Sequence, residues 1–223
     1  MPRPAWGEDS TADEAVIAEN LPGILQSIQQ SAARPREVPL VDISHDWHKA
    51  LYQGVSSVPG PHFLGNPRGS DHPDLRGYEV AVRDSQGRVV GEGIPATEVK
   101  GALRAFQQSM RQAVGNIDRG IQTGATPADE RQLLAVINLA AELHGEWVRI
   151  HPYANGNGRI ARIWANWAAV RYGLPPFVRI KPRPDGLLYA HVASRSMGMP
   201  PDYRGNHEET ASLFIDLLRN PAP

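Results

Sequence analysis

The sequence contains no cysteine, no long apolar run and almost no net charge. The missing cysteine excludes disulfide bonds, a cysteine-ligated zinc site and a cysteine nucleophile. No segment approaches the ~18 consecutive apolar residues of a membrane span, and no apolar signal region follows Met1. We therefore expect no membrane partner and a soluble protein that is cytoplasmic where it is made, although export into another cell would leave no mark in these features.

The charges argue against a polyelectrolyte partner. The chain has 23 basic and 24 acidic side chains in 223 residues, whereas a nucleic-acid-binding protein concentrates basic residues on one face. We therefore expect no nucleic acid partner. Hydrophobic residues make up 41% of the chain, and the length predicts one domain with extensions and a sizeable core.

Hydrophobic periodicity predicts a mainly α-helical fold. Thr11 and Glu14 form a capping-box pattern for a short first helix, which Pro22 should interrupt. Thr126 and Pro127 are a predicted N-cap and first turn for a central core helix. The predicted helices span residues 11–19, 24–33, 43–52, 98–114, 126–148, 158–172 and 208–218.

Glycine and proline, with 21 and 20 residues, are concentrated in residues 54–93 and 173–205. This concentration predicts loops around short strands in both stretches. Two β-prone runs, residues 78–82 and 88–91, flank a turn over residues 84–87 and predict a β-hairpin. On the residues alone, a surface hairpin without a role is an equally good interpretation. The first run consists of Tyr78, Glu79, Val80, Ala81 and Val82.

The segment from His151 to Arg162 carries the strongest chemical signal. It lies between the core helix and the next helix and reads His-Pro-Tyr-Ala-Asn-Gly-Asn-Gly-Arg-Ile-Ala-Arg. Gly156 and Gly158 allow the backbone to curl, and consecutive N–H groups beside a helix N-terminus form an anion-binding concavity. A phosphate is the natural occupant of such a site.

Charged and polar side chains complete this predicted phosphate site. Arg159 and Arg162 lie three residues apart, so both guanidinium groups can face one anion, and Asn157 adds a neutral donor. His151, at the other end of the loop, is a general-base candidate because its imidazole titrates near neutral pH. A base, a phosphate cradle and two arginines suit phosphoryl-type transfer, for which a magnesium ligand is the missing part.

Two further groups have weaker functional interpretations. His45 and His48 share a predicted helix face, but no carboxylate completes a metal site with them. Tyr189 and His191 could line a pocket, although ordinary structural placement is favoured.

The twelve-residue segment resembles the signature of the Fic family, which runs His, any, Phe, any, Asp or Glu, Gly, Asn, Gly, Arg, any, any, Arg. Tyr153 replaces the phenylalanine conservatively, and Asn155 replaces the acidic residue. The resemblance extends over roughly residues 43–218. It implies a mainly helical Fic-like domain with a β-hairpin flap, here over residues 35–223, preceded by an N-terminal helical segment over residues 1–34.

The resemblance implies a protein nucleotidyltransferase, most often one that moves AMP from ATP to a Tyr, Thr or Ser hydroxyl of a target protein. By position, His151 is the general base. The backbone of residues 156–158 and Asn157 hold the α-phosphate. Arg159 holds the neighbouring phosphates and Arg162 the γ-phosphate. The hairpin is then the flap that adds a strand of the target to its edge.

Asn155 stands where the family has its magnesium-binding carboxylate. An amide oxygen can ligate Mg²⁺ but lacks the negative charge that holds a hard cation strongly. We therefore expect Mg²⁺ as a cofactor at a weakened site. The two outcomes are a slower or differently specific transferase and a degenerate site that binds nucleotide without turnover.

Many family members carry an inhibitory helix whose pattern is Ser or Thr, three further residues, Glu, and then Gly or Asn. Glu19 and Asn20 fit this pattern, whereas Ala15 lacks its hydroxyl. Glu19 is therefore a candidate inhibitory residue that pairs with Arg162. Alternatively, it is an exposed glutamate near a helix end.

Three function classes stay open on the sequence. The first is the protein nucleotidyltransferase, which could transfer AMP or another phosphate-containing group. The second is a Fic-like nucleotide-binding module without catalysis, and the third is an unrelated phosphoester hydrolase. Whether the chain forms a homo-oligomer is also open.

Overall fold

The computed structural model describes residue 6 and residues 10–83, 86–184 and 186–220. Within these residues the chain forms helices and one small β-hairpin, so the mainly helical prediction is confirmed. No helix of this described part is both long and apolar enough to cross a membrane. The elements are α1 (Thr11–Ala32), α2 (Ile43–Leu51), a 3₁₀ turn (Pro61–Phe63), β1 (Ala81–Arg83), β2 (Val89–Glu92), α3 (Val99–Ile117), α4 (Glu130–Ile150), α5 (Asn157–Arg171), α6 (Gly186–Met197) and α7 (Glu208–Arg219).

Helix α4 is the centre of the fold and packs against α3, α5, α6 and α7. Helix α5 is buried along almost its whole length and contacts α1 as well as α4. Trp164 of α5 lies edge-on to Trp47, with ring centroids 4.8 Å apart, and Phe106 and Trp147 pack around it. This aromatic core fixes the relative position of the two helices that carry the twelve-residue segment.

Helix α1 is continuous, and the prediction of two helices broken at Pro22 is wrong. A proline in a helix interior costs about 3 kcal/mol. Ile17, Ile24 and Ile28 are fully buried on the same helix, and each buried side chain of this size contributes about 1.5–3 kcal/mol. The packing of α1 therefore outweighs the local cost of its proline.

The capping box of the first helix lies one residue earlier than predicted, at Ser10 and Asp13 instead of Thr11 and Glu14. Ser10 is the N-cap, its hydroxyl accepts from the Asp13 N–H at 3.1 Å, and the Asp13 carboxylate accepts from the Ser10 N–H. Asp13 also accepts from the backbone and hydroxyl of Ser56. The additional contacts to a distant loop favour Asp13 over Glu14 as the capping partner.

Helix α4 begins three residues later than the predicted Thr126 and Pro127 start. Asp129 is the N-cap and accepts from the Gln132 N–H at 2.8 Å, while the Gln132 side chain accepts from the Ala128 N–H at 2.8 Å. These two side-chain bonds satisfy two N–H groups near the start of the helix. Thr126 and Pro127 lie in the loop before it.

The stretch 173–205 contains helix α6, where loops around short strands were predicted. The prediction is wrong because glycine and proline occupy the ends of this stretch, whereas Tyr189, Val192 and Met197 lie between them and are buried. Gly198, at φ +71°, follows the last helical residue. The described part of 173–205 has no strand.

The predicted hairpin is present as a two-stranded antiparallel sheet. Ala81 pairs with Glu92, and the register is irregular after the next residue. Strand β1 is shorter than its β-prone run, whereas β2 has the length of its run and begins one residue later. Gly87, at φ +77°, lies in the predicted turn, whereas Asp84 and Ser85 lie outside the described residues.

Gly145 of α4 is required by close packing. A Cβ at this position would lie 2.1 Å from Nδ1 of His207, and that ring is held by Ser196 and Glu146. Gly145→Ala should therefore lower the free energy of unfolding by about 1–3 kcal/mol, measured by chemical denaturation.

Gly23→Ala is the matched control for this prediction. Gly23 lies in the interior of α1, and nothing is within 4 Å of its added Cβ. This variant should gain about 0.5–1 kcal/mol from the lower entropy of its unfolded chain. Stabilisation by both substitutions would contradict the packing account of Gly145.

Candidate active site

His151 ends helix α4 and has a left-handed backbone, with φ 51° and ψ 57°. Its Nδ1 lies 3.0 Å from the carbonyl oxygen of Val148. A carbonyl oxygen only accepts, so Nδ1 carries the proton and Nε2 keeps its lone pair. Burial, together with the charge of Arg68, lowers the pKa of His151 to about 4. The imidazole is therefore neutral, and can act as a base, at any pH well above 4.

The loop after His151 is closed by the side chain of Asn157. Its Oδ1 accepts from the Tyr153 N–H, and its Nδ2 donates to the Tyr153 carbonyl, both at 2.8 Å. Gly156, the N-cap of α5 at φ +82°, has no room for a Cβ because Tyr52 Oη would lie 2.6 Å away. The Asn157 side chain thus shapes the loop, and its predicted contact with a phosphate stays a prediction.

The structure brings the two predicted arginines to one cavity. Arg159 bonds to the hydroxyl of Tyr52, and its guanidinium lies 5.5 Å from the centre of that ring. Arg162 is buried and donates through Nε and Nη2 to the Ile180 carbonyl. Its Nη1 donates to the Tyr189 hydroxyl at 3.0 Å. Both cations are therefore held in place before any ligand binds.

Tyr189 has a role that the sequence did not favour. It lines the cavity, and because arginine only donates, its hydroxyl accepts from Arg162 and can donate a hydrogen bond to Nε2 of His144, 2.6 Å away. Burial lowers the pKa of His144 to about 3, so this ring stays a neutral acceptor. His191 is exposed and faces Glu209, and its structural placement is as expected.

The cavity has a volume of about 720 Å³, within the roughly 300–1,000 Å³ of small-molecule sites. Its lining includes His151, the start of α5 and residues 80–83 of the hairpin. The cations of the lining are Arg83, Arg159, Arg162, Lys181 and Arg183, against one carboxylate, Glu14, among the described lining residues. Such a surplus of positive charge favours an anion.

The five predicted flap residues divide into two groups. Val80, Ala81 and Val82 line the same cavity as His151. Tyr78 and Glu79 instead form the start of the hairpin, where the carbonyl of one and the carboxylate of the other accept from Arg68.

Asn155 lies on the cavity wall, and its Oδ1 accepts from the Gly156 N–H at 2.6 Å. Its carbonyl oxygen accepts from Nε2 of His48. Nδ1 of His48 accepts from the Gly65 N–H, so both nitrogens of His48 are engaged and the His45–His48 metal pair is not formed. The two sets of three close metal-ligating groups in the described chain include none of these residues.

Glu19 does not meet Arg162, contrary to the inhibitory pairing considered for it. Glu19 is exposed on α1 and is not part of the cavity lining. Glu14 of the same helix lines the cavity, and its Oε1 lies 2.6 Å from Nζ of Lys181. The hydrogen bond and the charge of Lys181, with a smaller effect of Arg159, lower the pKa of Glu14. Its carboxylate therefore pairs with Lys181, one of the cations of the cavity lining.

Comparisons with known proteins give both a family match and similar structures. The family model of the Fic/DOC family matches residues 43–169. A uridine 5'-monophosphate transferase of Xanthomonas campestris is 33% identical over 69 residues, which cover 31% of this chain and 13% of that protein. A protein adenylyltransferase Fic of Nematostella vectensis is 39% identical over 64 residues, 28% of this chain and 15% of the relative. The chain thus matches only a small part of either curated relative.

Solved structures resemble the fold over almost the whole chain. A Fic-domain-containing signalling protein of Bacteroides thetaiotaomicron has a TM-score of 0.66 at 21% identity, covering 96% of this chain and 72% of that one. The BepC protein of Bartonella tribocorum, solved with bound AMPPNP, has a TM-score of 0.54 at 14% identity, covering 91% and 86%. At these identities the likeness establishes the fold.

Glu14→Ala should strengthen the binding of inorganic triphosphate, because it removes the only described carboxylate of the lining and releases Lys181. We expect a several-fold lower dissociation constant at low ionic strength, and a smaller gain at high salt because screening weakens the effect. Isothermal titration calorimetry measures both.

Glu19→Ala is the control, since it removes the same charge from the same helix outside the cavity lining. The dissociation constant of Glu19→Ala for inorganic triphosphate should equal that of the unaltered protein. Equal effects of the two substitutions would show that only net charge matters and would contradict the local role of Glu14.

Proposed function

Because this chain belongs to the Fic/DOC family, we propose that it transfers a nucleoside monophosphate, in the first instance AMP from ATP, to a Tyr, Thr or Ser hydroxyl of a target protein. One observation carries the proposal. The neutral imidazole of His151 and the guanidinium groups of Arg159 and Arg162 line the same cavity.

The proposed reaction needs few protein groups. Nε2 of His151 takes the proton of the target hydroxyl as its oxygen bonds to the α-phosphorus. The bond from the α-phosphorus to the bridging oxygen breaks, and pyrophosphate leaves. The N–H groups at the start of α5, together with Arg159 and Arg162, neutralise the charge on the phosphates.

The hairpin supplies the proposed docking site for the target. Residues 80–82 line the same cavity as His151, and a short two-stranded sheet leaves backbone N–H and C=O groups at its edges. An extended segment of the target could pair there and direct its hydroxyl to the cavity. A cytoplasmic place of action is part of the same proposal.

The identity of the nucleotide is less constrained. The curated relatives are named for the transfer of adenylyl in one case and uridine monophosphate in the other. Phosphate contacts do not distinguish these groups, so a monophosphate other than AMP is the alternative within the same chemistry.

Asn155 is a residue type that can bind Mg²⁺, although more weakly than a carboxylate does. Asn155 lines the cavity, and its side chain carries an amide oxygen, a ligand type that Mg²⁺ accepts. Asn155 would be the protein ligand, and the ion would neutralise charge on the triphosphate. This neutral ligand also favours a second candidate function, a module that binds nucleotide without turnover.

The adduct experiment separates these functions. The protein is incubated in cell lysate with isotope-labelled ATP, UTP, GTP or CTP and Mg²⁺, and modified peptides are identified by mass spectrometry. We expect a nucleoside monophosphate on Tyr, Thr or Ser. His151→Ala should reduce its formation by at least ~10²-fold, since a general base contributes this much, while nucleotide binding persists.

His191→Ala is the control, because that histidine is exposed outside the cavity lining. Nucleotide binding without any adduct from the unaltered protein would select the binding module. Release of phosphate or nucleotide without an adduct would select a hydrolase.

Asn155→Asp should lower the Mg²⁺ concentration needed for half-maximal transfer by about tenfold or more, because a carboxylate adds the charge that a hard cation prefers. A Mg²⁺ titration of the transfer rate at fixed ATP measures this. An unchanged midpoint would remove Asn155 from the proposed metal site.

A further inference from the structure

Arg68 is a buried arginine that holds together two parts of the candidate active site. Its side chain has no exposed surface. It makes five hydrogen bonds in the described structure. The bonds are Nε to His151 O at 2.7 Å, Nη1 to Tyr78 O at 2.9 Å and to Glu79 Oε2 at 3.2 Å, and Nη2 to Ile94 O at 2.9 Å and to Ile150 O at 3.1 Å.

Two of these bonds hold the C-terminal end of α4. The last carbonyl groups of a helix have no partner within the helix, and they carry the negative end of its dipole. Arg68 binds the carbonyls of Ile150 and His151, and its own backbone N–H binds the carbonyl of Pro152 at 2.6 Å. Three consecutive carbonyls are thus held by one residue, at the point where His151 adopts a left-handed backbone that non-glycine residues rarely adopt.

The other three bonds hold both ends of the hairpin. Tyr78 and Glu79 lie just before β1, and Ile94 lies just after β2. The Glu79 carboxylate also accepts from the Ala96 N–H. Both ends of the hairpin therefore contact the same guanidinium group that binds the end of α4.

Gly93 allows this close approach. A Cβ at this position would lie 2.7 Å from Cβ of His151 and 2.8 Å from Nη2 of Arg68. Its N–H pairs with the carbonyl of Val80 and extends the hairpin pairing to that point. The backbone of the hairpin thus touches the histidine directly.

We propose that Arg68 is a positioning residue that sets the distance between the hairpin and His151, so that a strand docked on the hairpin presents its hydroxyl to Nε2. The proposal rests on the proposed function of His151 as the base. Lysine cannot replace Arg68, since one ammonium group with three donors cannot reach five acceptors spread over two segments.

Arg68→Lys tests the proposal, with Arg171→Lys as the matched control. Arg171 is also fully buried and binds two carbonyls and one carboxylate, but it lies at the far end of α5 and outside the cavity lining. Amide hydrogen exchange over residues 78–94 should rise in Arg68→Lys and stay unchanged in Arg171→Lys. The dissociation constant for a non-hydrolysable ATP analogue should change by less than about twofold in Arg68→Lys, because the phosphate contacts come from α5.

The rate of adduct formation at saturating nucleotide should fall roughly 10- to 100-fold in Arg68→Lys, the effect expected when reacting groups are displaced by about 1 Å. A loss of nucleotide binding in proportion to the rate would indicate general unfolding and would overturn the positioning role. Unchanged amide hydrogen exchange in the hairpin would overturn it as well. This measurement tests the positioning role even if the unaltered protein transfers no nucleotide.

Gly93→Ala provides a second test that keeps Arg68. Its Cβ must push the hairpin away from His151, so it should show the same fall in rate with nucleotide affinity preserved. It decides the question if Arg68→Lys does not fold. A rate equal to that of the unaltered protein would show that the separation of hairpin and histidine does not matter.

Discussion

The short connection between α4 and α5 is the constraint on which the candidate site depends. Its ends are fixed by the aromatic packing of the two helices, and its middle is closed by the Asn157 amide on the backbone of Tyr153. Within this frame, His151 must lie at one end and Arg159 and Arg162 at the other. The groups that would act on one phosphate chain are thus placed by packing far more than by contacts with each other.

The electrostatics of the site follow from burial. Partial burial and the nearby charge of Arg68 lower the pKa of His151 to about 4, which keeps the ring neutral near pH 7. Carbonyl and hydroxyl oxygens hold the guanidinium groups of Arg159 and Arg162 in place. Arg162 is held by the Ile180 carbonyl and by Tyr189. A neutral base beside preoriented cations suits nucleotide transfer, in which most of the catalytic effect comes from positioning and charge stabilisation.

The sequence predicted the family, the mainly helical fold and the hairpin because each has a local pattern. The twelve-residue segment names the candidate base and both arginines without any knowledge of the fold. Arg68 could not be found in this way, and Tyr189 was named only as a less favoured pocket residue, since their partners lie up to 83 and 45 residues away. Their contacts exist only after the chain has folded.

Glu14 and Glu19 show a different limit of sequence reasoning. They lie five residues apart, which is about 140° around a helix at 100° per residue, so only one of them can face the cavity. The resemblance pointed to Glu19, and the assumed helix break at Pro22 hid the true orientation of α1. The Ser10 cap and the buried isoleucines decide that orientation, and they turn Glu14 toward Lys181.

The central claim is that the phosphates lie along the start of α5 beneath His151. A crystal structure of the protein with Mg²⁺ and a non-hydrolysable ATP analogue tests it most directly. We predict that the α-phosphate contacts the first N–H groups of α5 and that the side of it facing away from the pyrophosphate is open toward Nε2 of His151. A nucleotide bound outside this cavity, or one whose α-phosphate is turned away from His151, would contradict the account.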